Sequence, residues 1–211
     1  MKNLFKYIPD RLYFLKSERA EGISILEVVK KLALSHPEIS FKLYEIKEEG
    51  NPREILRLDN SAGSNGLSKR IKEVLKNAFM ENSHQVDYQN ERIKITGYIS
   101  SPTFISGNAK NCYFFVNGRY VRDMSLLRYT RMAYGDLLEK AGFPSAVLFL
   151  TIPSGEIDVN VHPSKMEIKF KKLDLIRQAL KLAVRESLNI GRFNTRTQLS
   201  KQAYSYFRKE L

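Results

Sequence analysis

The residues best suited to chemistry lie in the segment from Gly155 to Phe170, which reads GEIDVNVHPSKMEIKF. Apolar and polar side chains alternate over 157–162 and again over 166–170, which is the period of half-buried strands. Pro163 cannot donate to a strand ladder and restricts the residue before it to extended backbone, so a stiff turn is predicted between the two runs. This turn would hold the ammonium group of Lys165 where it can meet a phosphate. A solvated surface lysine is the alternative interpretation.

Three polar residues share one face of the first predicted strand of this segment, namely Asp158, Asn160 and His162. They could be read as metal ligands or as a proton relay. The other histidines, His36 and His84, stand in unrelated polar contexts, and no serine or cysteine nucleophile accompanies the three residues. We therefore predict no metal site, and expect Asp158 and Asn160 to cap turns or to bond to neighbouring strands.

Composition indicates a protein with a core of its own. The 211 residues are 43% apolar, and this length favours one domain, or one domain with tails. The single cysteine, Cys112, leaves no intrachain disulfide and no zinc-ligand spacing, which favours a reducing cytoplasmic compartment. No apolar run approaches the ~20 residues that span a bilayer, so a soluble protein is expected.

The charge balance points to a polyanionic partner. The formal net charge is +12, and the pI is about 9.7. Such an excess on a small domain favours nucleic acid or an anionic membrane surface. Tryptophan is absent, and no basic helix carries a bulky apolar stripe, so nucleic acid is the predicted partner rather than a membrane.

Two groups of basic residues could form the surface that binds this partner. The first follows a predicted turn at Asn117 and Gly118, where Gly118 takes a positive φ, and comprises Arg119, Arg122, Arg128 and Arg131. The second is predicted on the outer face of a helix and comprises Lys69, Arg70, Lys72 and Lys76. We favour the first group, in which Arg128 and Arg131 are neighbours on a helix surface. A solvated basic face is the alternative for both.

Apolar periodicity predicts alternating helices and strands. Helical spacing covers 21–35, 68–77, 123–140 and 173–188. Extended runs cover 39–46, 53–58, 86–88, 92–101, 112–116 and 146–152. The alternation, with hairpins among the strands, predicts an α+β fold in which a split βαβ pattern lies on a mixed β-sheet.

Three details of these helices are specific enough to test. The inward stripe of the first helix is predicted to include Ile23, Val28 and Leu32. Ser68 is predicted to cap the second helix. The third helix is predicted to end at Gly142.

The same segments carry the resemblance to a known family. The run from Asp158 to Lys165, followed by Glu167, resembles the DVNVHP(A/S/T)K(x)E(V/I)(R/K)F signature of the MutL family of DNA mismatch-repair proteins. The run from Phe115 to Arg119, with Arg122 and Asp123, is similar to that family's (F/Y)VNGR(x)(V/I)(R/K)(D/S) motif. The spacing between the two motifs also agrees.

A third match lies near the start of the chain. Six residues follow the pattern of the family's LFYNTPAR(x)KFL box: Leu4, Phe5, Pro9, Arg11, Phe14 and Leu15. Four positions depart from it, since Lys6, Tyr7, Ile8 and Asp10 stand where the family has Tyr, Asn, Thr and Ala. Pro9 is suited to open a short helix at its first turn.

The resemblance implies a domain organisation. In MutL-like chains a GHKL-type ATPase domain precedes the third motif, and its ENxxD, DxGxG and glycine-rich lid motifs do not occur in this sequence. Residues 1–21 are therefore expected to be the junction from that domain, 22–190 the transducer domain, and 191–211 a basic linker tail. The fold that the resemblance implies is the ribosomal-protein S-five domain two-like fold.

The resemblance also implies a function. Lys165 would reach the γ-phosphate of ATP held in the adjoining ATPase domain, so this chain would not be an enzyme on its own and would hold no cofactor itself. ATP with Mg would bind only in the full-length protein. DNA would bind with little sequence preference near Arg119, Arg122, Arg128 and Arg131. Further expected partners are a MutL-like dimer partner and a mismatch-recognition protein, in a cytoplasmic, nucleoid-associated location.

Two other functions fit the residues without the resemblance. A stand-alone RNA-binding module of the same fold would bind its ligand tightly and need no ATPase partner. An enzyme using Lys165 or His162 as a base is disfavoured, because the sequence offers no convergent set of titratable residues. Hydrolysis of ATP by the isolated chain would separate these readings, since the transducer interpretation expects none.

Overall fold

The computed structural model describes residues 7–13, 15, 17–46, 50–63, 65–138, 142–158 and 168–188. The chain divides into two compact units, Met1–Arg70 and Ile71–Leu211. Helix α3, Gly66–Leu75, contains the boundary. The predicted domain boundaries after residues 21 and 190 stay predictions.

The first unit is built from helices and one hairpin. Its elements are α1 (Pro9–Tyr13), α2 (Glu18–Ser35), β1 (Phe41–Glu45), β2 (Arg53–Leu58) and the start of α3. Pro9 opens α1, as predicted, and the Ser17 hydroxyl accepts a hydrogen bond from the Ala20 N–H to cap α2. Strands β1 and β2 pair antiparallel, which confirms the predicted hairpin.

The predicted inward stripe of α2 is wrong for three of its members. Ile23, Val28 and Leu32 are about half exposed, at 56%, 54% and 48%, whereas Ala33 and Leu34 are fully buried. Helix α2 contacts β1, and only the end of the helix is buried in this unit. The first unit therefore presents apolar side chains to its surroundings that a globular domain would cover.

Arg70 is the second correction in this unit, because it is fully buried and does not lie on an outer basic face. Its guanidinium donates to four backbone oxygens, at 2.8–3.1 Å. The acceptors are four backbone carbonyl oxygens. That of Ala33 lies in the last turn of α2, those of Pro37 and Ile39 follow this helix, and that of Asp59 follows β2. A single side chain thus joins three segments of the first unit at the N-terminal half of α3.

The second unit contains a five-stranded sheet. Its strands are β3 (Ser83–Gln89), β4 (Lys94–Ser100), β6 (Cys112–Val116), β7 (Arg119–Val121) and β9 (Ala146–Thr151), in the order β3-β4-β9-β6-β7. Strands β6 and β9 are parallel neighbours, while the other pairs are antiparallel. Short pairs form outside this sheet, β5 (Ile105–Ser106) with β8 (Phe143–Pro144) and β10 (Ile157–Asp158) with β11 (Lys169–Phe170). The sheet is mixed, as predicted.

Among the described residues of the second unit, three α-helices follow α3. They are α4 (Asn77–Glu81), α5 (Met124–Tyr134) and α6 over 173–188. Helix α5 connects β7 to the strands that precede β9, so it lies in the crossover between the two parallel strands. The core joins the sheet to α5 and α6, with Ile95, Phe114, Leu126, Leu148 and Leu180 among its buried members. The predicted α+β class is confirmed.

Two helix ends differ from those predicted. Helix α3 begins at Gly66, and the Ser68 hydroxyl donates to the Asn65 carbonyl from inside the helix instead of capping it. Helix α5 ends at Tyr134, where Gly135 takes φ +58° and ψ −133°, a backbone conformation that is open to glycine and strained for other residues. The predicted stop at Gly142 is therefore wrong.

Cys112 is sequestered at the start of β6. Its Sγ donates to the Pro144 carbonyl at 2.9 Å, and burial raises the pKa of the thiol to about 12. Cys112 is therefore a packed side chain. Among the described residues, no helix combines the length and hydropathy needed to cross a membrane.

Replacing Arg70 with Met should destabilise the chain by about 3 kcal/mol, because one buried and three partly buried carbonyl oxygens lose their donor together. The matched control is Lys72→Met on the same helix, where the side chain is exposed and the expected change is within about 0.5 kcal/mol. Urea unfolding followed by circular dichroism measures both free energies. Equal values for the two variants would contradict the structural role of Arg70.

Candidate functional site

Strands β10 and β11 form the base of the segment that carries the predicted lysine turn. Both ends of the segment are extended, as predicted, and the structure pairs them antiparallel, Ile157 with Phe170 and Asp158 with Lys169. Residues 159–167, among them Asn160, His162, Pro163, Ser164 and Lys165, lie outside the described residues. The structure therefore describes both ends of this loop, which we call the lysine loop (159–167).

The ends of the lysine loop are tied to the core. Ile168 and Phe170 are buried in the core cluster, and Ile157 packs against it. The outward-facing partners Asp158 and Lys169 are exposed. This alternation is the period-two pattern predicted from sequence, and it gives the strand pair one apolar face and one polar face.

Glu156 gathers three contacts immediately before β10. Its carbonyl accepts from the Lys171 N–H at 2.9 Å, and its Oε1 lies 3.5 Å from Arg92 Nη1 and 3.2 Å from Lys172 Nζ. The ion pairs are partly exposed and each contributes little to stability. Together with the backbone bond, they connect the turn between β3 and β4 to both ends of the lysine loop.

The Asn–Gly turn is the second part of the site. Asn117 and Gly118 have φ of +50° and +78°, so both central residues of the β6–β7 hairpin turn are left-handed. The predicted positive φ of Gly118 is confirmed. An L-residue other than Asn or Asp would be strained at position 117.

The Asn117 side chain reaches the chain beyond β9. Its Nδ2 donates to the Ile152 carbonyl at 2.8 Å, and its Oδ1 accepts from the Ile152 N–H at 2.9 Å. The Asn117 backbone N–H also donates to the Leu150 carbonyl at 2.9 Å. We call the two side-chain bonds the Asn117 clamp. Sequence reasoning identified the turn and missed the clamp, because the partner of Asn117 lies 35 positions further along the chain and no local pattern indicates it.

The four arginines predicted to bind DNA flank this turn and continue onto α5. Arg119, Arg122 and Arg128 are exposed, and Arg131 is half-buried. The Arg131 guanidinium stacks over the Phe143 ring at 5.1 Å, and that of Arg128 over Tyr129 at 5.3 Å. Within the described ranges, no carboxylate forms an ion pair with Arg119, Arg122 or Arg128.

The competing basic face is smaller than predicted. Lys69 and Lys72 are exposed on α3 and Lys76 is exposed directly after this helix ends, but Arg70 is buried and unavailable to a ligand. Three lysines remain as the alternative surface.

The described histidines form no site. His36 pairs with Glu38 at 3.1 Å, and His84 Nε2 lies 3.0 Å from the Ser101 hydroxyl. Burial lowers the pKa of His84. In the part of the chain that the structure describes, no group of three His, Cys, Asp or Glu residues could hold a metal ion.

Comparison with known families identifies the chain. The family described as "DNA mismatch repair protein, C-terminal domain" matches residues 71–189, which is more than half of the sequence. The chain belongs to the MutL family of DNA mismatch-repair proteins.

Individual relatives agree over the whole chain. The DNA mismatch repair protein MutL of Phenylobacterium zucineum is 36% identical over 211 residues, which cover 100% of this chain and 33% of the relative. The MutL of Rickettsia africae is 33% identical over the same length and is covered to 34%. The chain thus spans about a third of the length of the curated relatives that it matches.

Two solved structures are similar. The crystal structure of the N-terminal domain of a DNA repair protein has a TM-score of 0.74 and 24% identity, covering 90% of this chain and 60% of that one, which shows a shared fold. The Aquifex aeolicus MutL ATPase domain complexed with ADP has a TM-score of 0.54 and 25% identity, covering 84% of this chain and 55% of that one.

Gly118→Ala should cost about 1 kcal/mol, since a Cβ meets no atom within 4 Å but the residue must keep a φ of +78°. Gly155→Ala is the matched control, because a Cβ there also meets open space and its φ is not positive. That change should stay within about 0.5 kcal/mol. Free energies of unfolding in urea give both numbers, and a neutral Gly118→Ala would mean that the turn is not held in this conformation.

Proposed function

We propose that this chain is the transducer segment of a MutL-like mismatch-repair protein, and that Lys165 contacts the γ-phosphate of ATP bound in an adjoining ATPase domain. Through the lysine loop, the presence or absence of the γ-phosphate in that domain would affect the conformation of this chain. On its own the chain would not hydrolyse ATP. ATP and Mg would be bound by the full-length protein.

The anchored base of the lysine loop is the observation that best supports this role. Ile157 and Phe170 are paired and packed on the core, and Glu156 joins the segments on both sides. A cation on a loop with fixed ends loses less conformational freedom on meeting a phosphate than one on a free loop. The ammonium group would act as a point charge on the phosphoryl oxygens.

The exposed apolar residues of α2 support an adjoining domain as a partner. Ile23, Val28 and Leu32 would be covered by further protein in the longer chain. Val28 and Leu32 are four residues apart and lie on one side of α2, which an ATPase domain in contact with the first unit would cover.

The basic surface supports DNA as a second partner. Arg119, Arg122 and Arg128 are exposed, and no described carboxylate neutralises them. Such side chains can replace the counterions of DNA phosphates without reading sequence. We propose that Arg131, which packs on Phe143, supports this surface and contributes less to it than the other three.

A dimer partner, a mismatch-recognition protein and a cytoplasmic, nucleoid-associated location remain proposals from the family. A stand-alone RNA-binding module is the second candidate, which the net charge of +12 permits. RNA bound more tightly than DNA by the 211-residue chain would favour that candidate.

Lys165→Ala should slow ATP hydrolysis at least tenfold in the protein that joins this chain to its ATPase domain, because a charge aimed at the γ-phosphate is removed. Lys181→Ala removes an exposed lysine from α6 and should leave turnover unchanged. Steady-state hydrolysis measures both rates, with circular dichroism to verify that each variant folds. Wild-type turnover in the folded Lys165→Ala variant would refute the proposed contact.

The double charge reversal Arg122→Glu/Arg128→Glu should weaken DNA binding and lower the salt dependence of log affinity by about 1.8, for two lost phosphate contacts. Lys69→Glu/Lys72→Glu changes the net charge equally on α3 and should leave the salt slope unaltered. Fluorescence anisotropy with a duplex at several salt concentrations measures both. The opposite ranking of the two variants would place the DNA contact on α3.

A further inference from the structure

We propose that Asn117 is a positioning residue for Lys165, acting through Ile152 and β10. This inference rests on the proposed function, since a positioning role for Asn117 requires that Lys165 contacts the γ-phosphate. The Asn117 side chain would determine where the chain enters the loop, and it would touch neither nucleotide nor substrate.

The clamp replaces a missing rung of the sheet. Strands β6 and β9 are paired in parallel up to Val116 and Leu150, and the Asn117 N–H adds a bond to the Leu150 carbonyl. The backbone then turns away at Asn117 and Gly118. The side-chain amide offers both a donor and an acceptor, and it bonds to the backbone C=O and N–H of Ile152 where the next backbone rung would be.

Ile152 is the point that fixes the path to the loop. It is 97% buried in the core, so its peptide groups need protein partners, and the Asn117 amide supplies them. Residues 153–156 follow, of which Ser154–Glu156 form one 3-10 turn closed by the Glu156 N–H on the Pro153 carbonyl at 2.9 Å. β10 begins directly after this turn, so the clamp is joined to the lysine loop by a short segment of regular hydrogen-bonded structure.

The exit of the loop is tied to its entry. Phe170 is buried, the Lys171 N–H donates to the Glu156 carbonyl, and Lys172 pairs with the Glu156 side chain. These contacts fix the position of the exit relative to Glu156. Glu156 is joined to Ile152 by only three intervening residues, so its position depends on that of Ile152. Releasing the Ile152 peptide would therefore shift both ends of the loop together.

The turn itself does not require an asparagine. Glycine adopts a φ of +50° without strain, so the hairpin can form with Gly at position 117. Asn117→Gly therefore removes the clamp and keeps the turn, which separates the two roles. Asn117→Asp keeps an acceptor for the Ile152 N–H but loses the donor to its carbonyl, and should have an intermediate effect.

The test is a double-mutant cycle on ATP hydrolysis in the full-length protein, with Asn117→Gly introduced into the wild-type and Lys165→Ala backgrounds. We expect Asn117→Gly to lower kcat about tenfold in the wild type, because a small misplacement of a catalytic group is costly. In the Lys165→Ala background it should cause no further loss. The control Asn108→Gly deletes a single capping bond, to the Lys110 N–H, and should change neither rate.

The outcomes separate the two proposals. An equal loss in both backgrounds would overturn the positioning role, since it would show a general structural effect. A slow Lys165→Ala variant with an unaffected Asn117→Gly variant would also overturn it, while leaving the proposed function intact. A wild-type rate for Lys165→Ala would overturn the proposed function and this inference with it.

Discussion

The pairing of one side-chain amide with the backbone N–H and C=O of one residue is the interaction on which the geometry of the candidate site depends. Asn117 lies where β6 turns away from β9, and its two bonds to Ile152 continue the sheet for one more rung. Because the peptide of Ile152 is buried, leaving it without partners would cost more than the bonds themselves contribute. The pairing of β6 with β9 is thereby extended into the segment that leads to β10 and the lysine loop.

A second buried polar group organises the first unit in a similar way. The Arg70 guanidinium gathers four carbonyl oxygens from segments far apart in sequence, where a hydrophobic side chain would leave them unpaired. Both devices use a side chain to satisfy backbone groups at the ends of regular elements. Apolar contacts are not directional, whereas these hydrogen bonds fix the positions of the backbone segments that they join.

The regular elements could be predicted from sequence because their signals are local. Alternation predicted β1, β2, β4 and the ends of the lysine loop, and Asn-Gly predicted the hairpin turn with its positive φ. Burial could not be predicted where it depends on packing: the stripe of α2 is largely exposed, and Arg70 is buried although its neighbours in the helix are exposed lysines. The lysine was identified by the signature around it, whereas the Asn117 clamp joins residues 35 positions apart and leaves no local pattern.

The central claim is a contact between the Lys165 ammonium and the γ-phosphate of ATP, and affinity labelling tests it most directly. An ATP analogue whose γ-phosphate carries an acyl group would transfer that group to the nearest amine, forming an amide and releasing ATP. In the full-length protein we expect mass spectrometry to find the acyl group on Lys165, and excess ATP to prevent the labelling. Labelling confined to other lysines would contradict the contact.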